Sequence, residues 1–252
     1  MSKNIKAIAL IPARSGSKRI IDKNIKLLKN RPLLAYTIYS ALECKCFDRV
    51  ICSTDSEYYA DIASQYGAEV IFRPKKIASS TSPDYEWVKF TTDVLQNEGY
   101  DFNVYSILRP TSPFRTEKTI KRAFKLFSKS FKFDSLRAVE LCGQHPGKMW
   151  SLGKKFMTPI FNKTINGTPW HSNQYALLPK IYVQNASLEI AWLKTLVVKK
   201  SISGSLILPF ITKALEGFDI NTHEDWILAE HYIRTKHVIL PKFKKHRSCN
   251  GR

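Results

Sequence analysis

The sequence predicts an α/β domain: a mostly parallel central sheet flanked by helices. Three observations carry this. Short apolar, β-rich runs alternate with segments whose apolar residues recur at helical spacing. Glycines and prolines stand at many of the joints between them. The chain has 252 residues, 44% of them hydrophobic, enough for one sizeable core.

The elements follow in order. Residues 7–11 (AIALI) read as a first buried strand. Residues 32–43 place Leu33, Leu34, Ile38, Ala41 and Leu42 at helical spacing. A short strand is expected at 49–53 (RVICS), then a helix at 56–66, capped near 53–55 and stopped by Gly67. Residues 69–72 form the next strand. Pro83 suits a first helical turn, so a helix is expected at 84–98, ending at Gly99. Residues 103–108 form a strand that runs into the turn Arg109-Pro110-Thr111-Ser112-Pro113-Phe114-Arg115. A helix at 117–129 and a strand at 135–141 follow.

From about 142 to 183 the pattern changes. Pro146, Pro159, Pro169 and Pro179, with Gly143, Gly147, Gly153 and Gly167, break any long helix. Short hairpin pieces such as 155–161 are expected there. The α/β pattern resumes with a strand at 183–190, a helix near 192–199, a strand at 206–209 and a last helix at 222–235. The expected organisation is one domain over 1–240, carrying an inserted β-rich segment at about 142–195 for dimer contacts or a lid, and a basic tail at 241–252. There is no internal repeat and no low-complexity segment.

Forty Lys+Arg against twenty-one Asp+Glu give a net charge of +19, which favours phosphate-rich partners. The cations are spread along the chain, with one dense cluster at 242–247 (KFKKHR), a solvated tail or a tether. A basic nucleic-acid binder is one reading of this charge. The absence of any RRM, KH, helix-turn-helix or zinc motif opposes it. No apolar run reaches the roughly 18–20 residues that span a bilayer, and the apolar N-terminal run is too short for a signal peptide. The expected location is the cytoplasm, with no membrane partner. Cys44, Cys46, Cys52, Cys142 and Cys249 are odd in number and irregularly spaced, so reduced thiols are expected.

The first candidate site is the loop that leaves the first strand, IPARSGSKRIIDKN over 11–24. In an open α/β sheet, ligands bind outside the carboxyl ends of the strands. Gly16, between Ser15 and Ser17, lets the backbone approach a phosphate, and Arg14, Lys18 and Lys23 supply charge. The spacing matches neither a P-loop nor the dinucleotide fingerprint.

These residues carry a resemblance. The run Ile11-Pro12-Ala13-Arg14-Ser15-Gly16-Ser17-Lys18 with Lys23-Asn24 resembles the signature of the acylneuraminate cytidylyltransferases, which activate nine-carbon acidic sugars. The likeness continues through Ser53-Thr54-Asp55-Ser56, Arg73-Pro74, Arg109 to Arg115, His145-Pro146 with Lys148-Met149-Trp150, Tyr182 with Gln184-Asn185, and Phe218-Asp219-Ile220-Asn221-Thr222. It runs from about residue 8 to residue 233, with the motifs in family order.

The resemblance implies a Rossmann-like nucleotidyltransferase fold and a reaction. CMP passes from CTP to a nine-carbon 2-keto sugar acid of sialic, legionaminic or pseudaminic type, pyrophosphate leaves, and Mg2+ assists. An eight-carbon acid remains an alternative acceptor. It also implies roles. Arg14 and Lys18 hold the reacting phosphates. Ala13, Ser15, Gly16, Lys23, Asn24, Arg73 and Asp84 complete the nucleotide side. Arg109, Thr111, Ser112, Lys148, Gln184 and Asn185 face the sugar. Asp219 is the expected metal ligand, with Asn221 beside it where the family carries a second aspartate. Asp219 also has a structural reading, as a cap for the helix near Thr222, since Thr222 and Asp225 have capping-box spacing. Arg109 stands where the family carries glutamine, so a cation replaces a neutral amide. A homodimer is the expected assembly.

Overall fold

A computed structural model describes residues 5–129, 131–241 and 243. Most of the basic tail, and Cys249 with it, lies outside the described residues. The chain divides into two compact units: Met1–Ala138 with Asn185–Arg252, and Val139–Gln184.

The chain runs through β1 (Ala7–Pro12), the small hairpin β2 (Leu27–Leu28) and β3 (Arg31–Pro32), α1 (Leu33–Glu43), β4 (Arg49–Thr54), α2 (Glu57–Gln65), β5 (Glu69–Phe72), α3 (Asp84–Asn97), β6 (Val104–Ile107), α4 (Glu117–Phe127) and β7 (Ser135–Leu141). Four short strands follow: β8 (Trp150–Leu152), β9 (Met157–Pro159), β10 (Thr164–Ile165) and β11 (Thr168–Pro169). The chain then returns through β12 (Tyr182–Trp192), α5 (Leu193–Val198), β13 (Ile207–Ile211) and α6 (His223–Arg234).

The large sheet has the order β13-β7-β12-β6-β1-β4-β5. β5, β4, β1 and β6 run parallel, with Leu10 opposite Ile51 on one side and Ile107 on the other. β12 is antiparallel to β6, Glu189 facing Ile107 and Trp192 facing Val104. From β1 the chain winds outward first through β4 and β5, then through β6 on the other side. That reversal is the topological switch point, where the carboxyl ends of strands open a crevice.

β1 reads as an unbroken apolar run because helices cover both its faces. Ala7, Ala9 and Ile11 pack with Ile38, Ala63, Ile120 and Phe127 from α1, α2 and α4. Ile8 and Leu10 pack with Trp87, Val88 and Leu95 of α3 and Leu196 of α5. A third cluster joins Leu28, Leu33 and Tyr36 to Trp226 and Ala229 of α6. Each such aliphatic side chain, fully buried, contributes about 1.5–3 kcal/mol.

Helix boundaries follow local chemistry. The cap of α2 is Ser56, whose hydroxyl accepts from the Tyr59 amide, rather than a residue at 53–55. Gly67 ends the following turn at φ +90°, a conformation costly for other residues. α4 and α6 begin with reciprocal capping boxes, Thr116 with Thr119 and Thr222 with Asp225.

The second unit holds two two-stranded ladders, β8 with β9 and β10 with β11. Asn166 and Gly167, at φ 51° and 78°, turn the second of these. His145 is built into this unit: its Nδ1 accepts from the Gly147 amide, leaving Nε2–H to donate to the Pro179 carbonyl. The unit ends at Gln184, short of the expected 195, because residues 189–192 pair with β6 in the main sheet.

Candidate active site

The first unit carries a cleft of about 410 Å³ lined by the β1 exit loop, the segment before α3 and the turn after β6. It gathers Arg14, Lys18, Lys23, Asn24, Arg73, Asp84, Arg109, Thr111 and Asn221 from five stretches of sequence. Ser17, Arg19, Ser79, Ser80, Ser82 and Trp87 line it too. Ala13, Ser15, Gly16, Ser112, Asp219 and Asn185 are not among its lining residues.

The opening loop is tied down along its length. The Ala13 amide donates to the Ser53 carbonyl at 2.9 Å. Asn24, 6% exposed, donates its side-chain amide to the Arg14 carbonyl at 3.2 Å, and its own carbonyl accepts from the Leu34 amide. Lys23 donates to the Ile220 carbonyl at 2.6 Å. Burial lowers the pKa of Lys23, and neighbouring Asp219 is the foremost charge opposing that.

Arg73 is 5% exposed, and its Nε and Nη2 have no hydrogen-bond partner. Its guanidinium lies 5.5 Å over the ring of Trp87. Burial lowers its pKa, opposed first by Asp55. A buried cation with open donors is costly unless an anion comes to it.

Arg109 is differently placed. It donates to Asp84 at 2.7 Å and to Glu189 at 2.9 Å, and Glu189 also pairs with Arg137 at 3.0 Å. Burial would lower the pKa of Arg109, but Glu189 and Asp84 outweigh it and raise it. Burial alone would raise the pKa of Asp84, yet Arg109 holds it below the usual carboxylate range. The Arg109 carbonyl is also held, accepting from Thr37 Oγ1 at 3.3 Å and from fully buried Arg115. Glu189 and Arg137 were not expected here. Their signal was a charge inside each apolar run, SLRAV and SLEIA.

The segment bearing Asp219 is stitched to the same wall. The Ile220 amide donates to the Thr111 carbonyl at 2.8 Å. Asn221 donates its side-chain amide to Asp219 Oδ2, while Asp219 Oδ1 is buried with no partner. The helix-cap reading of Asp219 is overturned: Thr222 caps α6, and Asp225 accepts from the amides of Asn221 and Thr222. An orphaned carboxylate oxygen beside an amide suits a hard cation such as Mg2+. Among the described residues no three His, Cys, Asp or Glu side chains converge into a complete metal cage. The remaining ligands would come from water and a bound anion.

Two expected residues, Asn185 and Lys148, are engaged elsewhere, and a third, Ser112, is buried. Ser112 is 1% exposed with its hydroxyl unpartnered. Asn185 donates to Thr212 Oγ1 and accepts from the Ser187 amide. Lys148, in the second unit, donates to the His171 carbonyl at 3.2 Å and lies over the ring of Tyr175. Gln184 also belongs to that unit.

An open α/β sheet with a cation-lined cleft at its switch point defines a class, the nucleotide-binding α/β proteins. The comparisons narrow it. Residues 8–183 match the family model described as cytidylyltransferase, and the chain belongs to that family. It is 33% identical over 229 residues to the CMP-N,N'-diacetyllegionaminic acid synthase of Legionella pneumophila, covering 90% of this chain and 95% of that protein. It is 41% identical over 134 residues to the N-acylneuraminate cytidylyltransferase of Escherichia coli O18:K1:H7, covering 53% of this chain but only 31% of that longer protein. In fold it resembles CMP:2-keto-3-deoxy-manno-octonic acid synthetase, solved with CTP, at a TM-score of 0.67 and 13% identity, over 92% of this chain and 99% of that one.

Proposed function

We propose that this cytidylyltransferase moves CMP from CTP to a nine-carbon 2-keto sugar acid of sialic, legionaminic or pseudaminic type. The anomeric hydroxyl oxygen bonds to the α-phosphorus, the α–β anhydride bond breaks, and pyrophosphate leaves with the electron pair. The hydroxyl proton passes to solvent. The observation that carries this reading is Arg73, a buried guanidinium with open donors on the wall of a cleft that also holds Arg14, Lys18 and Lys23. The names of the relatives fit it.

In this reading Arg14, Lys18 and Arg73 bind the triphosphate and offset the charge that develops on the leaving pyrophosphate. Gly16, at φ +72° with open space around it, brings backbone amides toward the phosphates. Lys23 and Asn24 fix the far end of the loop. Asp219, with Asn221, would hold Mg2+, which when bound neutralises triphosphate charge. Arg109 and Thr111 form the wall against which the sugar acid is oriented in line with the α-phosphate.

The assembly we propose is a homodimer, supported by apolar side chains exposed on the second unit, among them Leu152, Phe156, Met157 and Ile160. CTP as substrate points to the cytoplasm as its place of work. Among the described residues no helix is long and apolar enough to cross a membrane, and Cys44, Cys46, Cys52 and Cys142 are free thiols.

The test is pyrophosphate release from CTP with a panel of nine-carbon 2-keto sugar acids, one eight-carbon acid and no acceptor. Turnover confined to nine-carbon acids is expected. Turnover with the eight-carbon acid alone would move the acceptor, and no CTP-dependent release with any acid would overturn the proposal.

A further inference from the structure

Two side chains at the elbow between β4 and α2 pin both ends of the cationic loop. Asp55 accepts from the Ser15 amide at 2.7 Å and from the Ser15 hydroxyl at 2.8 Å. Four residues on, Tyr59, 2% exposed, donates its hydroxyl to Asp22 at 2.9 Å. Asp22 sits at φ 50°, a conformation that needs such support. Between these two anchors the chain has only residues 16–21, and that arc brings Lys18 and Arg19 to the cleft. The same elbow touches the end of the neighbouring strand β5: the Arg73 amide donates to the Thr54 carbonyl at 2.8 Å.

We propose that Asp55 is a positioning residue for the triphosphate, fixing the arc of residues 15–22 against Arg73 while Tyr59 fixes its far end. This rests on the CTP reading given above. The physical reason is entropic and electrostatic together. Each loop residue left free costs about 1–2 kcal/mol to order on binding, and a preformed arc avoids that cost. The carboxylate of Asp55 is also the foremost charge opposing the cost of burying the Arg73 guanidinium. Asp55 itself touches no substrate in this scheme and acts through Ser15 and Arg73.

Asp55→Asn separates the two effects. Its carbonyl still accepts from the Ser15 amide, and its NH2 donates to the Ser15 hydroxyl, which rotates to accept. The loop anchor survives and the charge does not. Asp55→Ala removes both, and Tyr59→Phe removes only the far hydrogen bond.

The experiment measures steady-state KM for CTP and for the sugar acid, and amide hydrogen exchange of the loop in the CTP-free protein. For Asp55→Ala, KM for CTP rises about tenfold or more while KM for the acceptor stays within about twofold. Ser15 loses its amide protection in the same variant before any nucleotide is added. Asp55→Asn keeps that protection and shows a smaller rise in KM for CTP. Tyr59→Phe raises exchange at residues 21–22 and leaves Ser15 protected. Equal rises in both KM values, accompanied by a fall in Tm, would make Asp55 merely structural and overturn the proposal. Unchanged KM for CTP with unchanged Ser15 exchange would do the same. A wild-type protein that binds no CTP would instead overturn the functional reading, and the exchange data would still decide whether Asp55 fixes the loop.

Discussion

Arg109 joins Asp84, the first residue of α3, to Glu189 of β12, two carboxylates held on one guanidinium at 2.7 and 2.9 Å. Its charge is thus already matched inside the fold, and it stands in the wall of the cleft. Arg109→Gln should lower stability by about 1–3 kcal/mol, because Glu189 keeps Arg137 but loses a second donor while buried. Urea unfolding measures this. The double variant Arg109→Gln, Glu189→Gln should cost less than the sum of the single changes, since the pair is coupled. Additive losses would mean the contact carries little.

Lys18 is exposed. Lys18→Ala should therefore leave Tm unchanged and cut kcat by about a hundredfold, the scale of removing one donor to developing charge. Pyrophosphate release under saturating CTP gives the number. An unaltered kcat would take Lys18 out of the chemistry.

Asp219 has a buried oxygen without a partner. Asp219→Ala should raise the Mg2+ concentration needed for half-maximal activity, and should weaken the rise in Tm that Mg2+ is expected to give in the presence of CTP. Asn221→Asp should be tolerated, with Mg2+ binding as tight or tighter. If Asp219→Ala leaves both Mg2+ titrations unmoved, the residue only supports the segment.

Asp134 accepts from the amides of Ser205 and Leu206 and from Lys199 at 2.7 Å. The Leu206 hydrogen bond foremost, then Lys199, pulls its pKa from 3.8 to about 2. The folded value lies below the unfolded one, so its stabilisation is complete above pH 3.8 and is lost as pH falls through about 2. The stability gap between wild type and Asp134→Ala should be constant near neutrality and close across that window. Denaturant midpoints at stepped pH test it, and a gap that persists at the acid end would refute the assignment.

Replacing both Leu152 and Phe156, 81% and 74% exposed, by Asp should convert a dimer to a monomer without unfolding it. Light scattering after size exclusion reads the mass directly. An unchanged dimer would place the contact elsewhere.

Much of the fold was legible because long elements announce their period. β1, α1, α3 and α6 combine apolar spacing with Pro, Gly or Thr at their ends, and each was expected to within two residues of its observed bounds. The hairpin of β2 and β3 was not legible, since two-residue strands have no period. Asn166-Gly167 did carry a turn signal, and it fell in a stretch where short hairpin pieces were expected but only 155–161 was named. The boundary of the second unit was missed for another reason. β12 serves both units, and only pairing across the sheet shows where it changes allegiance.

The candidate site divides the same way. Cations bunched in one loop are visible in a string of letters, so Arg14, Lys18 and Lys23 could be named. Glu189 and Arg137 stand 52 positions apart in the sequence, and only the neighbouring places of β7 and β12 in the sheet bring them together. Asp55 was visible as part of a motif, but its hold on Ser15 is a contact between two loops and leaves no trace in spacing.

The strands that lead out to the appended unit and back from it are neighbours in the main sheet. A tight turn joining residue 138 to residue 185 would therefore leave the seven-stranded frame with its order unbroken. Whatever hangs on that stalk can then change in length and sequence without disturbing the strands whose ends carry the cleft.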